Sequence, residues 1–300
     1  MTSEIEYILS KIETDSPIHA KKLKKNFAFF DEPYYDFTTP FLKKYLALLA
    51  SENKTLDFAV ACYLNMIADM NSETVAFFRT GKYSSTTFSE VNERVYANPE
   101  IMEYYMHGLL LSQFLWKHHY DSFRFFYENL PKYVGNTQNY LEIGAGHGLY
   151  LNKALSVFDE KTPFTVVDIS QTSIDLARKF NTNNKVAFVV KDIFDFGDSD
   201  TFDFICMGEV LEHVEEPLKL LQKLRKMLTS SGTLFLTTPT NAPAIDHLYL
   251  FNNVQEIRDL ITEAGFSIES EMEFPSEQAS PEKIEKYKIA VLYGAFLKVK

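Results

Sequence analysis

The chain has 300 residues, and hydrophobic residues make up 46% of them, which is enough for one large domain or two modest ones. Its net charge is −11, and its one dense basic run, Lys21-Lys22-Leu23-Lys24-Lys25, is typical of a solvated helix face. Because a protein that grips many phosphates needs a basic face, this charge excludes nucleic acids and anionic membranes as expected partners.

The cysteines and the first residues limit the class of protein further. Cys62 and Cys206 are far apart and lack CxxC spacing, which excludes a disulfide framework and a thiolate zinc site. Residues 1–6 carry acids where a signal peptide needs basic residues, and no apolar stretch is long enough to span a bilayer. We therefore expect a cytoplasmic protein.

The first part of the chain is predicted to be helical and is rich in aromatic residues. Apolar residues recur at helical spacing over residues 4–12, 40–50 and 56–69. Asn98-Pro99-Glu100 predicts the start of a long helix over residues 101–127, which Gly108 would bend. Residues 82–87 form a polar loop that we interpret as a lid. A helical domain over residues 1–134 follows from these patterns.

The second part of the chain alternates short β-branched runs with helices. Strands are predicted at residues 140–143, 164–167, 186–190, 202–206 and 233–238, and helices at 149–158, 173–180, 217–228 and 254–264. This alternation predicts a doubly wound α/β fold with a parallel sheet. Two last strands, residues 267–274 and 290–299, predict an antiparallel edge hairpin. The second predicted domain spans residues 135–300.

A glycine-rich loop follows the first predicted strand and reads Glu142-Ile143-Gly144-Ala145-Gly146-His147-Gly148. Its glycines permit positive φ angles and leave room for a ligand against the backbone. The spacing is GxGxG, whereas the dinucleotide fingerprint is GxGxxG, and Leu149 stands at that third glycine position. Ligands of open α/β sheets bind beyond the carboxyl ends of the strands, so we expect this loop to hold a cofactor.

Acids at the neighbouring strand ends suit a nucleoside. Asp168-Ile169 ends the second strand, about 20 positions after the loop, where a carboxylate can accept hydrogen bonds from both ribose hydroxyls. Asp192 follows the third strand and is placed to accept from an adenine amino group, with Ile193 against the ring. Glu142 lies under the loop, where its charge favours the ammonium group of a ligand.

These residues, together with Gly208-Glu209-Val210-Leu211-Glu212-His213-Val214, resemble the motif series of the class I S-adenosylmethionine-dependent methyltransferases. The resemblance covers about half of the chain, residues 135–275. It implies a Rossmann-like methyltransferase sheet, S-adenosylmethionine as cofactor, and Gly208 and Glu209 at its methionine end. The alternative is a Rossmann domain for NAD or a sugar nucleotide, which the glycine spacing disfavours.

Glu209, Glu212 and His213 form an E-x-x-E-H segment, and His247 follows the fifth predicted strand. This set resembles the magnesium site of small-RNA 2′-O-methyltransferases, and also the ubiquinone-pathway O-methyltransferases. The resemblance implies a Mg²⁺ ion that polarises the accepting hydroxyl group. From the sequence we favour the metal-free alternative, because a carboxylate pair is as often solvated as ligated.

His247 has a separate role to consider, because its loop faces the sulfonium group in this fold. An imidazole could remove a proton from the acceptor during an in-line displacement, with Asp246 orienting it and His213 nearby. The alternative is a loop histidine bonded to the backbone. In either case the protein mainly supplies position and excludes water.

The aromatic helices are expected to cover the acceptor. Tyr104, Tyr105 and Trp116 are predicted to line its pocket, although core packing is the alternative for each of them. We expect a small-molecule acceptor, of natural-product or amino-acid-like type, and the helices also offer a homodimer surface. Three functions stay open: a metal-independent small-molecule methyltransferase, a metal-dependent O-methyltransferase and a non-catalytic S-adenosylmethionine-binding scaffold.

Overall fold

The computed structural model describes residues 3–183, 185–197 and 200–300. The part before the sheet is helical, as predicted. Its helices are α1 (Ser3–Asp15), α2 (Pro17–Phe27), α3 (Glu32–Ser51), α4 (Leu56–Thr80), α5 (Phe88–Val91), α6 (Pro99–Leu115) and α7 (Lys117–Asn129). A π-helical turn, Asn92–Tyr96, precedes α6, and a 3₁₀ turn, Leu130–Asn136, follows α7.

The rest of the described chain forms one seven-stranded sheet with helices between its strands. The strands are β1 (Tyr140–Ile143), β2 (Phe164–Asp168), β3 (Val186–Val190), β4 (Phe202–Gly208), β5 (Leu228–Thr240), β6 (Phe266–Pro275) and β7 (Val291–Val299). The helices are α8 (Leu149–Val157), α9 (Gln171–Phe180), α10 (Pro217–Met227), α11 (Val254–Glu263) and α12 (Pro281–Tyr287).

The sheet order is β3-β2-β1-β4-β5-β7-β6, which confirms the doubly wound fold. Strands β1 to β5 pair in parallel, and β7 pairs antiparallel with both β5 and β6. The predicted C-terminal hairpin is therefore present, with β6 at the edge and β7 inside the sheet. The carboxyl ends of β1, β2, β3 and β4 lie side by side, so the loops that follow them can share one ligand.

The helical region packs against one face of this sheet. Buried residues of the helices and of that face form a single hydrophobic cluster, in which Phe126 of α7 lies 4.7 Å from Phe235 of β5 between ring centroids. Helices α10 and α11 bury Leu220 and Ile257 in a second cluster on the opposite face. Each fully buried large apolar side chain stabilises such a core by about 1.5–3 kcal/mol. The predicted boundary at residue 134 thus runs through a shared core.

The prediction of one long aromatic helix over residues 101–127 was wrong in one respect. It starts where predicted, because the Asn98 side chain accepts hydrogen bonds from the backbone N–H groups of Glu100 and Ile101. It continues through Gly108, where a Cβ would lie 2.9 Å from that of Met66 on the packed helix α4. It breaks at Trp116 instead, which is extended (φ −107°, ψ 124°) and separates α6 from α7.

No helix in the described part of the chain combines the length and the apolar character that crossing a bilayer requires.

Candidate active site

A cavity of about 1180 Å³ lies beyond the carboxyl ends of the strands. The loops after β1 to β5 form one side of it, and helices of the N-terminal region form the other. In a parallel sheet all strands deliver their following loops to the same edge, so motifs far apart in the sequence meet here.

The glycine loop after β1 lines this cavity through Gly144 and Gly146. Gly144 has a φ angle of +76°, and a Cβ there would lie 2.5 Å from a methyl carbon of Val210. Gly148, predicted to bind the cofactor, does not line the cavity. Its φ angle is +72°, and a Cβ there would lie 3.1 Å from the backbone of Ala177, so this glycine lets the loop pack against α9.

Asp168, at the end of β2, lines the cavity and holds the glycine loop at the same time. Its Oδ2 atom accepts a hydrogen bond from Ala145 N at 2.7 Å, and Oδ1 accepts one from Ser170 N at 2.7 Å. Burial raises the pKa of this carboxyl, and the backbone donors oppose that rise. A carboxylate has about four acceptor positions, and three backbone N–H groups bond to this one, so about one position remains for a ribose hydroxyl.

The predicted adenine end of the site also lies on the cavity. Ile169, Asp192 and Ile193 all line it, and Asp192 Oδ1 accepts from Phe194 N at 2.9 Å while Ile193 is buried. The sequence analysis missed Phe194, which lines the cavity with its side chain 40% exposed. A single aromatic residue after a strand gives no signal of its own in a sequence.

Glu142, which was expected under the loop where its charge favours the ammonium group of a ligand, does not line the cavity. Strand alternation turns its side chain into the sheet face under the loop, where the Tyr140 hydroxyl donates to its Oε2 at 2.6 Å. Burial raises the pKa of Glu142 to about 8. The residue is a buried acid of the core.

The E-x-x-E-H segment, residues 209–213, is not α-helical. Glu209 has a φ angle of +54°, and Leu211–His213 forms a 3₁₀ turn. The backbone carbonyl of Glu212 accepts hydrogen bonds from Leu248 N and Tyr249 N, both at 2.9 Å. These two bonds tie the segment to the loop after β5 and bring that loop's histidine to it.

Glu212, His213 and His247 meet as a result, and we call them the Glu–His–His cluster. Their ligand atoms all lie within 4.8 Å of one another. Oε1 of Glu212 is 3.7 Å from Nε2 of His213 and 4.0 Å from Nε2 of His247. Glu209, included in the sequence-based metal set, is not part of this group.

Several buried polar atoms around the cluster have no hydrogen-bond partner among the described residues. They are Oε1 of Glu209 and Glu212, Oδ1 of Asn241 and Asp246, and Nδ1 of His247. Burial raises the pKa of Glu212 well above its ordinary value, with repulsion from Glu209 as the next cause, and burial lowers the pKa of His247 well below its ordinary value. Unpaired buried acceptors are costly, so they indicate a missing positively charged or proton-donating group.

His213 is held from its other side. Its Nδ1 atom lies 3.0 Å from the backbone carbonyl of Asp246 and 3.0 Å from the hydroxyl of Tyr96. Because a carbonyl can only accept, Nδ1 carries a proton, and Nε2 faces Glu212. The predicted catalytic residues His213, Asp246 and His247 are therefore brought together on the cavity wall.

The helical region supplies contacts that the sequence analysis missed. Tyr83 lies 5.6 Å from His247 between ring centroids, and its hydroxyl accepts from Ala242 N at 3.1 Å. Arg94 donates to Ile245 O at 2.6 Å. The loop interpreted as a lid, residues 82–87, is thus fastened to the loop after β5 through Tyr83. These contacts join segments about 150 residues apart, and no motif marks them.

Two of the three aromatic residues predicted to contact the acceptor line the cavity. Tyr105 and Trp116 are on its wall, and Tyr104 is not. Neighbouring residues of a helix point about 100° apart, so Tyr104 faces another side and donates to Asp69 at 2.5 Å.

Residues 116–271, more than half of the chain, match a family model described as a methyltransferase domain. The chain belongs to the class I S-adenosylmethionine-dependent methyltransferases. The predicted family, fold and cofactor are thereby confirmed.

Individual relatives of this methyltransferase match it over shorter segments. A ubiquinone biosynthesis O-methyltransferase of Xanthomonas campestris pv. campestris is 30% identical over 108 residues, 35% of this chain and 44% of that protein. A malonyl-[acyl-carrier protein] O-methyltransferase of Priestia megaterium is 32% identical over 98 residues, 33% of this chain and 35% of that protein. The chain thus spans less than half the length of these two relatives.

Among solved structures, the mitomycin 7-O-methyltransferase MmcR is similar in fold. The TM-score is 0.55 at 13% identity, over 85% of this chain and 73% of that one. The similarity extends the shared fold beyond the family match, into the helical region.

The residues of the cavity fit S-adenosylmethionine. The space at Gly146 is open, since a Cβ there would meet nothing within 4 Å, and Asp168 and Asp192 keep acceptor capacity along the strand ends. The acid-rich wall suits a cofactor that carries a sulfonium and an ammonium group.

Proposed function

We propose that this protein transfers the methyl group of S-adenosylmethionine to a small-molecule acceptor whose nucleophilic atom lies at the Glu–His–His cluster. One observation carries the proposal: the same cavity, of about 1180 Å³, is lined by the glycine loop, by the cluster and by the helical region. Sites for one drug-sized ligand measure roughly 300–1,000 Å³, so this cavity has room for a cofactor and an acceptor together.

Each part of the chain has a defined task in this proposal. S-adenosylmethionine supplies a methyl group on a positively charged sulfur. Gly144 and Gly146 admit the cofactor and Asp168 holds its ribose, while Tyr105 and Trp116 exclude water from the acceptor side. His247 is uncharged at neutral pH because burial lowers its pKa, so its ring can take the acceptor's proton.

Turnover is the direct test of this function. The purified chain is incubated with isotope-labelled S-adenosylmethionine and a metabolite collection, and products are sought by mass spectrometry as a gain of one labelled methyl group. We expect a labelled product and S-adenosylhomocysteine in equal amounts. Binding of S-adenosylhomocysteine without any turnover across the collection would favour the non-catalytic scaffold instead.

A specific observation favours a second candidate, a divalent-cation-dependent O-methyltransferase. Oε1 of Glu212 is buried without a partner, and the Nε2 atoms of His213 and His247 lie 3.7 Å and 4.0 Å from it. These residues fit a cation, and when bound it would polarise the acceptor's hydroxyl group. Two imidazoles with one carboxylate suit Mn²⁺, Fe²⁺, Co²⁺ or Zn²⁺ better than the Mg²⁺ considered from the sequence.

Chelation separates the two candidates. If the enzyme depends on a divalent cation, prolonged treatment with EDTA, followed by removal of the EDTA, should abolish turnover, and added Mn²⁺ should restore it. The affinity for S-adenosylhomocysteine should stay the same. Mn²⁺ binding is measured independently by electron paramagnetic resonance, with Glu212→Gln as the variant that should lose it. Full turnover after chelation would leave the metal-free mechanism with its histidine base.

The separate roles of the two parts of the chain are also a proposal. We infer that residues 1–134 cover the acceptor and that residues 135–300 bind the cofactor. The acidic balance of the chain, −11 in net charge, supports a small-molecule acceptor over a nucleic acid. Light scattering after size-exclusion chromatography tests whether the helical region also forms the predicted homodimer.

A further inference from the structure

The cavity has a second group of titratable side chains that the proposed reaction does not use. His118 and His119 begin helix α7, and His147 lies in the glycine loop. All three line the cavity, and we call them the imidazole wall. Trp116 separates them from the helix before and stacks on His118, with ring centroids 5.5 Å apart and planes 21° apart.

The hydrogen bonds of the wall leave donors free to face the cavity. His147 Nδ1 accepts from Leu149 N at 3.3 Å, so its proton is on Nε2, which makes no hydrogen bond in the described part of the protein. His119 uses Nδ1 with Ser112 and Gln113, at 2.8 Å and 3.0 Å, and leaves Nε2 unused. His118 has no hydrogen bond to any described side chain or backbone group. Neither ring nitrogen of His118 is among the inaccessible unpaired atoms.

The wall is uncharged when the cavity holds no ligand. Burial lowers the pKa of His118 to about 3 and that of His147 to about 4, and it lowers that of His119 well below the ordinary value. The rings of His118 and His119 are 4.5 Å apart between centroids, and His147 lines the same cavity. A neutral imidazole has one N–H donor, so the wall offers hydrogen-bond donors without fixed positive charge.

The strand-end side beyond the glycine loop has the reverse character. Two lysines, Lys191 and Lys219, line it, and they are outnumbered by seven acids: Asp168, Asp192, Glu209, Glu212, Glu215, Glu216 and Asp246. Glu277 also lines the cavity and is paired with Lys22 at 2.6 Å. Positively charged parts of a ligand are therefore favoured at the strand ends, and negatively charged oxygens at the imidazoles.

We propose that His118, His119 and His147 form a carboxylate-binding site, which the amino-acid carboxylate of the cofactor or a carboxylate of the acceptor occupies. The proposal rests on the proposed function, because it places a ligand of that reaction in the cavity. A metal ion is not the occupant, since the described group whose ligand atoms lie close enough to share an ion is the Glu–His–His cluster. N–H donors aimed at carboxylate oxygens form hydrogen bonds about twice as strong as neutral pairs.

Two ligands identify the source of the carboxylate. S-adenosylhomocysteine has the amino-acid carboxylate, and 5′-methylthioadenosine has the same adenosyl thioether without it. Calorimetry compares both ligands on the wild-type protein and on His118→Leu and His119→Leu. If the cofactor's carboxylate binds here, each variant should weaken S-adenosylhomocysteine about tenfold to a hundredfold and leave 5′-methylthioadenosine unchanged.

A second experiment tests whether a carboxylate of the acceptor binds at the wall, and it uses the protein saturated with S-adenosylhomocysteine. Benzoate and its uncharged analogue benzamide are titrated and followed by NMR. If an acceptor carboxylate binds at the wall, both nucleoside affinities stay as in the wild type, benzoate binding is lost in the variants, and benzamide binding is unaffected. Either pattern supports the site and names its source.

Controls separate a lost hydrogen bond from a damaged fold. Lys117→Ala removes a neighbouring residue of the same helical turn, which pairs with Asp121 and does not line the cavity, and should change neither ligand. His118→Gln keeps an N–H donor and should recover most of the affinity. Equal weakening of S-adenosylhomocysteine and 5′-methylthioadenosine, or no change in either ligand or in benzoate, overturns the carboxylate site. Wild-type turnover is measured separately, so that outcome would leave the proposed function standing.

Discussion

The two walls of the cavity differ in how they were built and in how they can be recognised. The strand-end wall consists of short loops, each directly after a strand, so its residues follow the sheet's own spacing along the chain. The helical wall is assembled from α2, α4, α6, α7 and the π-helical turn that ends at Tyr96. Its contacts join residues more than 100 positions apart in the chain, such as Tyr96 and Asp246.

This difference assigns a different task to each wall. The strand ends carry side chains that the backbone holds in place, such as Asp168, whose carboxylate accepts hydrogen bonds from three backbone N–H groups. Such fixed groups suit a ligand of constant shape. The helical wall carries side chains, such as Tyr83 and Tyr96, which touch the histidines of the Glu–His–His cluster. If the walls divide cofactor binding from acceptor chemistry, substitutions in them should separate affinity from turnover.

The largest effect is expected at Glu142, which tests whether the acid of the glycine-loop motif serves the ligand or the core. Burial raises its pKa to about 8 from 4.5, so the folded state holds a proton that the unfolded state releases above pH 4.5. Stability should therefore fall as pH rises from about 5 to 8, and Glu142→Gln should remove on the order of 4 kcal/mol of this loss.

Urea denaturation at several pH values measures this effect, and calorimetry measures S-adenosylhomocysteine binding by the same variant. We expect the affinity to stay within about threefold of the wild type, because the side chain does not line the cavity. A large loss of affinity with an unchanged pH profile would return Glu142 to the cofactor site.

Asp168→Ala should have the next largest effect, because it removes the acceptor of three backbone N–H groups as well as the predicted ribose contact. We expect S-adenosylhomocysteine to bind about 100-fold more weakly by calorimetry. Asp175→Ala is the matched control, since this exposed acid on α9 pairs with Arg178 and does not line the cavity. Equal affinities of the two variants would refute the assignment of Asp168.

Glu212→Gln should act on turnover and not on cofactor binding. The glutamine can keep the hydrogen bond that Thr238 donates to Oε2 at 2.8 Å in the wild type, but it removes the titratable carboxyl group beside the two histidines. We expect kcat to fall about 50-fold with unchanged S-adenosylhomocysteine affinity, in line with removal of one acid–base or metal-ligating group from a catalytic site. Glu263→Gln, an exposed position at the end of α11, serves as the control.

The sequence predicted the strand-end wall well, for a physical reason. Gly144, Asp168 and Asp192 each follow a strand, and parallel strands bring all their carboxyl ends to one edge, so spacing along the chain implies proximity in space. Glu142 and Gly148 belong to the same motif but do not line the cavity, because the Glu142 side chain is buried beside Tyr140 and Gly148 packs against α9. A motif records which residues occur together and does not record which way each side chain points.

From the sequence, the presence of a helical wall could be predicted, but most of its individual contacts could not. Composition indicated aromatic helices over the strand ends, and Tyr105 and Trp116 line the cavity as expected. The contacts of Tyr83, Arg94 and Tyr96 depend on how α4, α6 and the π-helical turn pack on the sheet, which no local pattern determines. The helix break at Trp116 has the same origin, since its indole N–H donates to Tyr63 of α4 at 2.8 Å.

The smallest effect is expected at Tyr96, and it tests whether the helical wall takes part in turnover at all. The Tyr96 hydroxyl lies 3.0 Å from Nδ1 of His213 and 3.4 Å from Oδ2 of Asp246. Tyr96→Phe keeps the ring and removes only this link, so His213 should keep its place but lose part of its orientation. We expect kcat to fall about tenfold, the value of one hydrogen bond, with the S-adenosylhomocysteine affinity and the melting temperature unchanged. Tyr249→Phe is the control, because the ring of that exposed tyrosine packs on Phe251 and its hydroxyl makes no hydrogen bond to the described residues. A parallel fall in affinity and melting temperature would make Tyr96 a packing residue, and the two walls would then differ in construction but not in task.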